Sequence, residues 1–279
     1  MRHNDPSAQP SPLSTTHRSR CTLFHSVGVH DRLTQTDPLL SFEVFRLSGA
    51  VIPPHPHAGC AVAHYILPDA AGGLRSRLAQ GDEAVARPGD LLWLDAHCGT
   101  VHQETPADGS AECRGLQVVV NYADCEREGA PQQRRVPGEQ MPCWQSGGVE
   151  LRLVCGQWQE RQAPLVPHAG ATLLTLNWQT DDTLSLALPE DRHWFALVLD
   201  GCCRIDGVLL AAGGSTMAAT LPAGTWNVSG TAGAGLALLG GAPLHEPVIY
   251  QGAFAVRDEA QLVDTLRRYQ EGAMGTLGC

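Results

Sequence analysis

His55-Pro56-His57 and His102-Gln103-Glu104 are the two runs of this chain best equipped for chemistry. In an extended strand, residues two apart share a face. Each run therefore aims two metal-ligand side chains in one direction. If the two strands lie side by side, His55, His57, His102 and Glu104 converge as three imidazoles and one carboxylate. Such a set suits a divalent transition metal, iron(II) first, and leaves positions for water, oxygen or substrate. Zinc, manganese, nickel and copper also bind such donors, because affinity alone does not select among them. Taken singly, the first run reads as a turn with two exposed histidines and the second as a strand end with a solvated acid. The combination is what points to a metal.

The elements that must position these runs are short strands. Phe42 to Leu47 alternates, Ala61 to Leu67 is an apolar run closed by Pro68, and Leu91 to Leu94 follows the turn at Pro88-Gly89. Thr100 to Glu104 carries the second run, and Leu116 to Asn121 is again apolar. Short strands punctuated by Gly and Pro predict an antiparallel barrel or double-sheet jelly roll. The rhythm resumes at Val149 to Val154, Ala171 to Trp178, Thr183 to Leu188, Trp194 to Leu199 and Gly235 to Leu239. The second half thus reads as a degenerate copy of the first, without a second His-x-His pair. His168, His193 and His245 stand alone and read as surface or structural residues. Asp258 to Glu271 places Leu262, Val263, Leu266 and Tyr269 at helical spacing and predicts an amphipathic packing helix stopped at Gly272.

Composition narrows the classes of function. The chain has 279 residues and a formal charge of -10, which argues against general binding to nucleic acid. All 19 basic residues are arginine, so Schiff-base chemistry and a lysine base are absent. The 10 cysteines lack zinc-knuckle spacing, and the polar segment Met1 to Arg20 has no apolar core of a signal peptide. Reduced thiols in a cytoplasm, with Cys60 and Cys98 as buried small residues, are the expected state. No run has the length needed to span a membrane.

Several of these segments, in order, resemble the motifs of the pirin family. They are Asp37-Pro-Leu-Leu40, Pro54-His-Pro-His-Ala-Gly59, Arg87-Pro-Gly-Asp-Leu-Leu-Trp93, Gly99-Thr-Val-His-Gln-Glu104, Gly115-Leu-Gln-Val-Val-Val-Asn121 and Pro243-Leu-His-Glu-Pro-Val-Ile-Tyr-Gln-Gly-Ala-Phe254. The resemblance implies an all-β bicupin of two antiparallel jelly-roll barrels with a C-terminal helix. Residues 1–20 are expected to be disordered and 21–123 to form the metal-binding cupin. Residues 124–142 are expected to connect it to a second cupin, with the helix, at 143–279. The two packed barrels suggest a monomer.

The resemblance also implies iron held by His55, His57, His102 and Glu104. Bacterial pirins are associated with quercetinase activity, the oxygen-dependent opening of a flavonol ring. A small aromatic substrate is therefore expected, with Glu104 as ligand or as the base that takes a proton. Eukaryotic pirins are described as nuclear transcription cofactors, which implies the alternative of a non-catalytic, iron-dependent redox sensor docking on a protein partner. That role would need a responsive surface loop, such as Asp69 to Gly81. The sequence departs from the family at Ala58, where arginine is usual, at Cys60 and Ala61, and at His64, where the family has threonine. Ser76-Arg77-Leu78-Ala79 replaces a His-Arg-Asp-Ser stretch. Ala58, Cys60 and Ala61 are expected to leave a roomier, less polar entrance, and His64 to be a buried structural histidine.

Overall fold

The computed structural model describes residues 11–13, 15–18, 22–27, 33–49, 51–109, 111–167, 170–213 and 217–278. Its two halves repeat one plan, a seven-stranded antiparallel sheet backed by a four-stranded one. In the first half the large sheet runs Gln132–Val136, Leu91–Asp95, Cys60–Ile66, Cys113–Asn121, Leu39–Leu47, Thr22–Val27 and Thr15–Arg18. Ile52–His57, Thr100–Pro106, Leu74–Leu78 and Glu83–Ala86 form its small sheet. In the second half, Asp182–Leu188, Gly224–Gly230, Cys202–Ile205 and Val208–Ala211 form the small sheet behind a large one centred on Gly235–Gly241. This is the expected bicupin of two jelly-roll domains.

The large sheets are apolar on both faces, as strands covered from both sides must be. Along Cys60–Ile66 every residue is buried. Ala61, Ala63 and Tyr65 turn toward the other half and join Phe42, Leu116, Phe195, Leu197 and Leu239 in one cluster spanning both halves. Phe42 and Phe195 meet there with ring centroids 5.5 Å apart. Cys60 and Val62, of opposite parity, turn into the first barrel with Leu40, Leu78, Leu94 and Val119. The interior of the second barrel is filled by Trp158, Trp178, Trp194 and Trp226 with leucine and valine. Arg114 pairs with Asp200 at the rim of the seam, and His193 Nδ1 donates to the Asp37 carbonyl oxygen at 2.8 Å.

Several expectations change. The N-terminal segment expected to be disordered falls partly outside the described residues, but Ser11–Leu13 and Thr15–Arg18 are strands. Ser11–Leu13 pairs with Ala218–Leu221, adding an edge to the second half's sheet. The connector 124–142 contributes Gln132–Val136, the edge strand beside Leu91–Asp95. Its polar Gln-Gln-Arg-Arg sequence hides that role, because an edge strand keeps one face in solvent. Leu74–Leu78, inside the supposed loop Asp69 to Gly81, is a strand of the small sheet. The helix Glu259–Gln270 is capped by the Asp258 carboxylate, which accepts from Gln261 N. Leu262 packs against the core around Phe254 and Met274. Val263, expected to pack, is 65% exposed. His168 lies outside the described residues.

The turn at Gly59 joins the strand Ile52–His57 of the small sheet to Cys60–Ile66 of the large one. Gly59 has φ +72°, and a Cβ there would sit 1.9 Å from the Ala255 carbonyl oxygen. Gly59→Ala is expected to cost about 1–3 kcal/mol of stability from backbone conformation alone, and the clash with Ala255 adds to it. Denaturant unfolding followed by tryptophan fluorescence measures the loss, and an unchanged midpoint would contradict the constraint.

Candidate metal centre

Ile52–His57 and Thr100–Pro106 pair antiparallel with His102 opposite His55 and Thr100 opposite His57. The register shifts between His102 and Glu104, so that Glu104 faces Ile52. The extra residue lies on the first strand, at Pro53-Pro54. Proline has no N–H to give a ladder, so it is tolerated on an edge strand and at a bulge. Ile52–His57 is an edge strand, bonded only to Thr100–Pro106. Parity thus turns His55, His57 and His102 to one side of the small sheet, with Glu104 beside them.

The donor nitrogens of His55, His57 and His102 lie within 4.8 Å of one another. His55 Nε2 and His102 Nε2 face each other at 3.0 Å. Two nitrogens this close are both within reach of a single ion at ordinary metal–nitrogen bond lengths of roughly 2.0–2.1 Å. His55 Nδ1 donates to the Pro53 carbonyl oxygen at 3.0 Å, which leaves Nε2 free to ligate. His102 Nδ1 is 3.5 Å from Ser76 Oγ, a looser anchor of the same kind.

Glu104 stands beside this trio rather than within it. Its Oε2 is 3.9 Å from His55 Nε2, and its Oε1 is 3.7 Å from His102 Nδ1. The nearest imidazole is that of His64, whose Nε2 is 2.9 Å from Glu104 Oε1. The same Nε2 lies 2.8 Å from Gln117 Oε1, the hydrogen-bond partner of the ring. The contact with Glu104 is off that bond's axis and acts as an ion pair. Both carboxylate oxygens and His57 Nδ1 are buried without an aligned hydrogen bond among the described residues. His64 meets the charge at Oε1, while Oε2, on the side of His55, is left without a close donor, and the donor set there fits a divalent metal.

The electrostatics agree. Burial lowers the His57 pKa well below its ordinary value, and His102 and His55 add to the shift. Burial also takes His102 down to about 3 against the opposite pull of Glu104. Both rings are thus neutral and able to ligate near pH 7. Burial alone would raise the Glu104 pKa, but His102, His64 and His55 hold it well below the usual carboxylate range. For His64 burial opposes the charge, and Glu104 outweighs it, so its pKa rises.

The side chain of His55 is 30% exposed whereas that of Glu104 is 1% exposed, so the cluster opens to solvent at His55. The expected entrance residues are placed otherwise. Ala61 points into the seam between the barrels, Ala58 packs with Phe254 and Met274, and Cys60 sits in the core of the first barrel. Cys60 and Cys98 fall outside the metal-ligand cluster found among the described residues. The eight described cysteines are free.

Family comparison agrees with this geometry. Residues 14–120 match the pirin family, and residues 173–275 match the pirin C-terminal cupin domain. The chain belongs to the pirin family. A pirin-like protein 2 of Arabidopsis thaliana is 26% identical over 249 residues, covering 86% of this chain and 76% of the relative. In fold, this pirin superimposes on a quercetin 2,3-dioxygenase from Acinetobacter baumannii with TM-score 0.85 at 18% identity, covering 96% and 91% of the two chains. It also resembles the bacterial pirin YhhW from Escherichia coli, solved in complex with nickel(II), with TM-score 0.66 at 15% identity, covering 85% and 100%. No helix among the described residues is long and apolar enough to cross a membrane.

A pH dependence follows for the metal-free protein. His57 and His102 bind protons less readily when folded than when unfolded, where histidine titrates near about 6.5. Their contribution to stability is therefore complete above about pH 6.5 and is lost as pH falls toward the folded values. Glu104, also depressed, has the same sign at lower pH, whereas His64, being raised, has the opposite sign. Chelator-treated protein should show a falling thermal midpoint from pH 7 to pH 4, and His102→Asn should flatten that slope.

Proposed function

We propose that this pirin is a metal-dependent dioxygenase of the quercetin 2,3-dioxygenase type, with iron(II) held by His55, His57, His102 and Glu104. The observation that carries the reading is three converging imidazoles beside a buried carboxylate. The name of the Acinetobacter baumannii neighbour supports the substrate class, a flavonol-like aromatic. The nickel(II) complex of YhhW supports a metal in this fold.

When bound, the metal would supply Lewis acidity that lowers the pKa of a coordinated phenolic hydroxyl. The protein's residues do the rest. His55, at the solvent edge, borders the route by which a flat aromatic reaches the cluster. Glu104 supplies negative charge inside an apolar barrel. Its depressed pKa suits a permanently ionised donor, because a general base works best with a pKa near the working pH. Accepting the substrate proton would require the carboxylate to leave the His64 contact.

Protein loaded anaerobically with iron(II) and mixed with quercetin and oxygen should lose the flavonol absorbance. His57→Ala and His102→Ala should each weaken metal binding and lower the rate by at least about 100-fold, since each removes one of the donors that would hold the metal for its Lewis-acid role. An unchanged flavonol spectrum at full iron occupancy, across a panel of flavonols and catechols, would overturn the enzyme reading. A change in partner-protein binding between iron(II) and iron(III) would then favour the sensor.

A further inference from the structure

His64 lies outside the set of four ligands, yet it touches Glu104 more closely than any ligand histidine does. It comes from Cys60–Ile66, a strand of the large sheet, and reaches across the barrel to a residue of the small one. We propose that His64 is a positioning residue for the metal. It clamps Glu104 Oε1 and turns Oε2 toward His55, so that the carboxylate offers a single oxygen. The inference rests on the metal-binding reading.

Three features fix the ring. Gln117 stands directly across the strand pair from His64 and binds its Nε2 at 2.8 Å. Phe45 meets the ring edge-on, with centroids 5.9 Å apart. With acceptor oxygens of Gln117 and Glu104 both facing Nε2, that nitrogen must carry the hydrogen. The carboxylate is thereby divided between two duties. Oε1 is 2.9 Å from His64, and Oε2 is 3.9 Å from His55 Nε2. A ring packed edge-on against Phe45 and held at Nε2 by Gln117 keeps that nitrogen beside Glu104, which restrains the carboxylate from rotating to present both oxygens. Groups behind a metal ligand act in this way, and losing one typically costs 10–100-fold in metal affinity.

The test is nickel(II) affinity, measured by competition with a chromophoric chelator on the full chain. His64→Leu should weaken binding by about 10–100-fold, and His64→Gln, which restores an N–H donor, should recover most of it. In a Glu104→Gln background, His64→Leu should change affinity less than about twofold, because the clamp has nothing left to hold. Gln117→Leu removes the acceptor that shares the Nε2 hydrogen with Glu104, so it should leave affinity at or above the parent's, whereas His64→Phe, which fills the ring's site without a donor, should weaken binding as His64→Leu does and carries the test if His64→Leu does not fold. Affinity within about threefold of the parent in both His64→Leu and His64→Phe would overturn the clamp, as would an equal His64→Leu loss with and without Glu104. If His57→Ala also binds nickel(II) as the parent does, it is the metal reading that has failed.

Discussion

The antiparallel pairing of Ile52–His57 with Thr100–Pro106 is the constraint on which the site depends. It fixes His55 opposite His102, and strand parity then brings His57 and Glu104 to the same side. A slip of one residue would leave His55 and His57 on the face opposite to His102 and Glu104. The register is held from both sides of the second strand, since Thr100–Pro106 also pairs with Leu74–Leu78 from His102 to Pro106. The site is therefore built on paired strands rather than on loops, the arrangement that keeps donors within the tolerance a metal demands.

The two halves have the same architecture and different interiors. The first barrel places imidazoles and a carboxylate where its small sheet faces its large one. The second fills its interior with four tryptophans and aliphatic side chains. What the second barrel contributes is cover, since its large sheet meets the first across a shared apolar cluster. That cover makes a two-sided apolar strand such as Cys60–Ile66 stable, and this strand delivers His64 to Glu104.

Most of the architecture could be read from the chain because its signals are local. Alternation in Phe42 to Leu47, the Pro-Gly turn at Pro88-Gly89 and the Asp258-to-Gly272 helix frame depend on neighbouring residues only. The convergence of His55, His57 and His102 followed from period-2 geometry and needed only the strands to be neighbours, and the same parity set Glu104 beside them. The contact between His64 and Glu104 was not legible, because it joins two sheets and no periodicity relates their faces. Ala61 was misplaced for a related reason. The turn at Gly59 passes the chain from one sheet to the other, so proximity to His57 in sequence says nothing about which face Ala61 occupies. Gln132–Val136 escaped notice because a polar edge strand resembles a linker in composition.

Pro53, Pro54 and Pro56 have a consequence beyond the bulge they permit. Their strand forms the outer border of the small sheet, where unpaired backbone amides would otherwise offer a template for cross-molecular zippering. Three imino acids in six residues remove half of the strand's amides. The border that carries two of the imidazoles is thus a poor seed for fibril growth, and the histidines can remain near the surface without exposing an adhesive backbone.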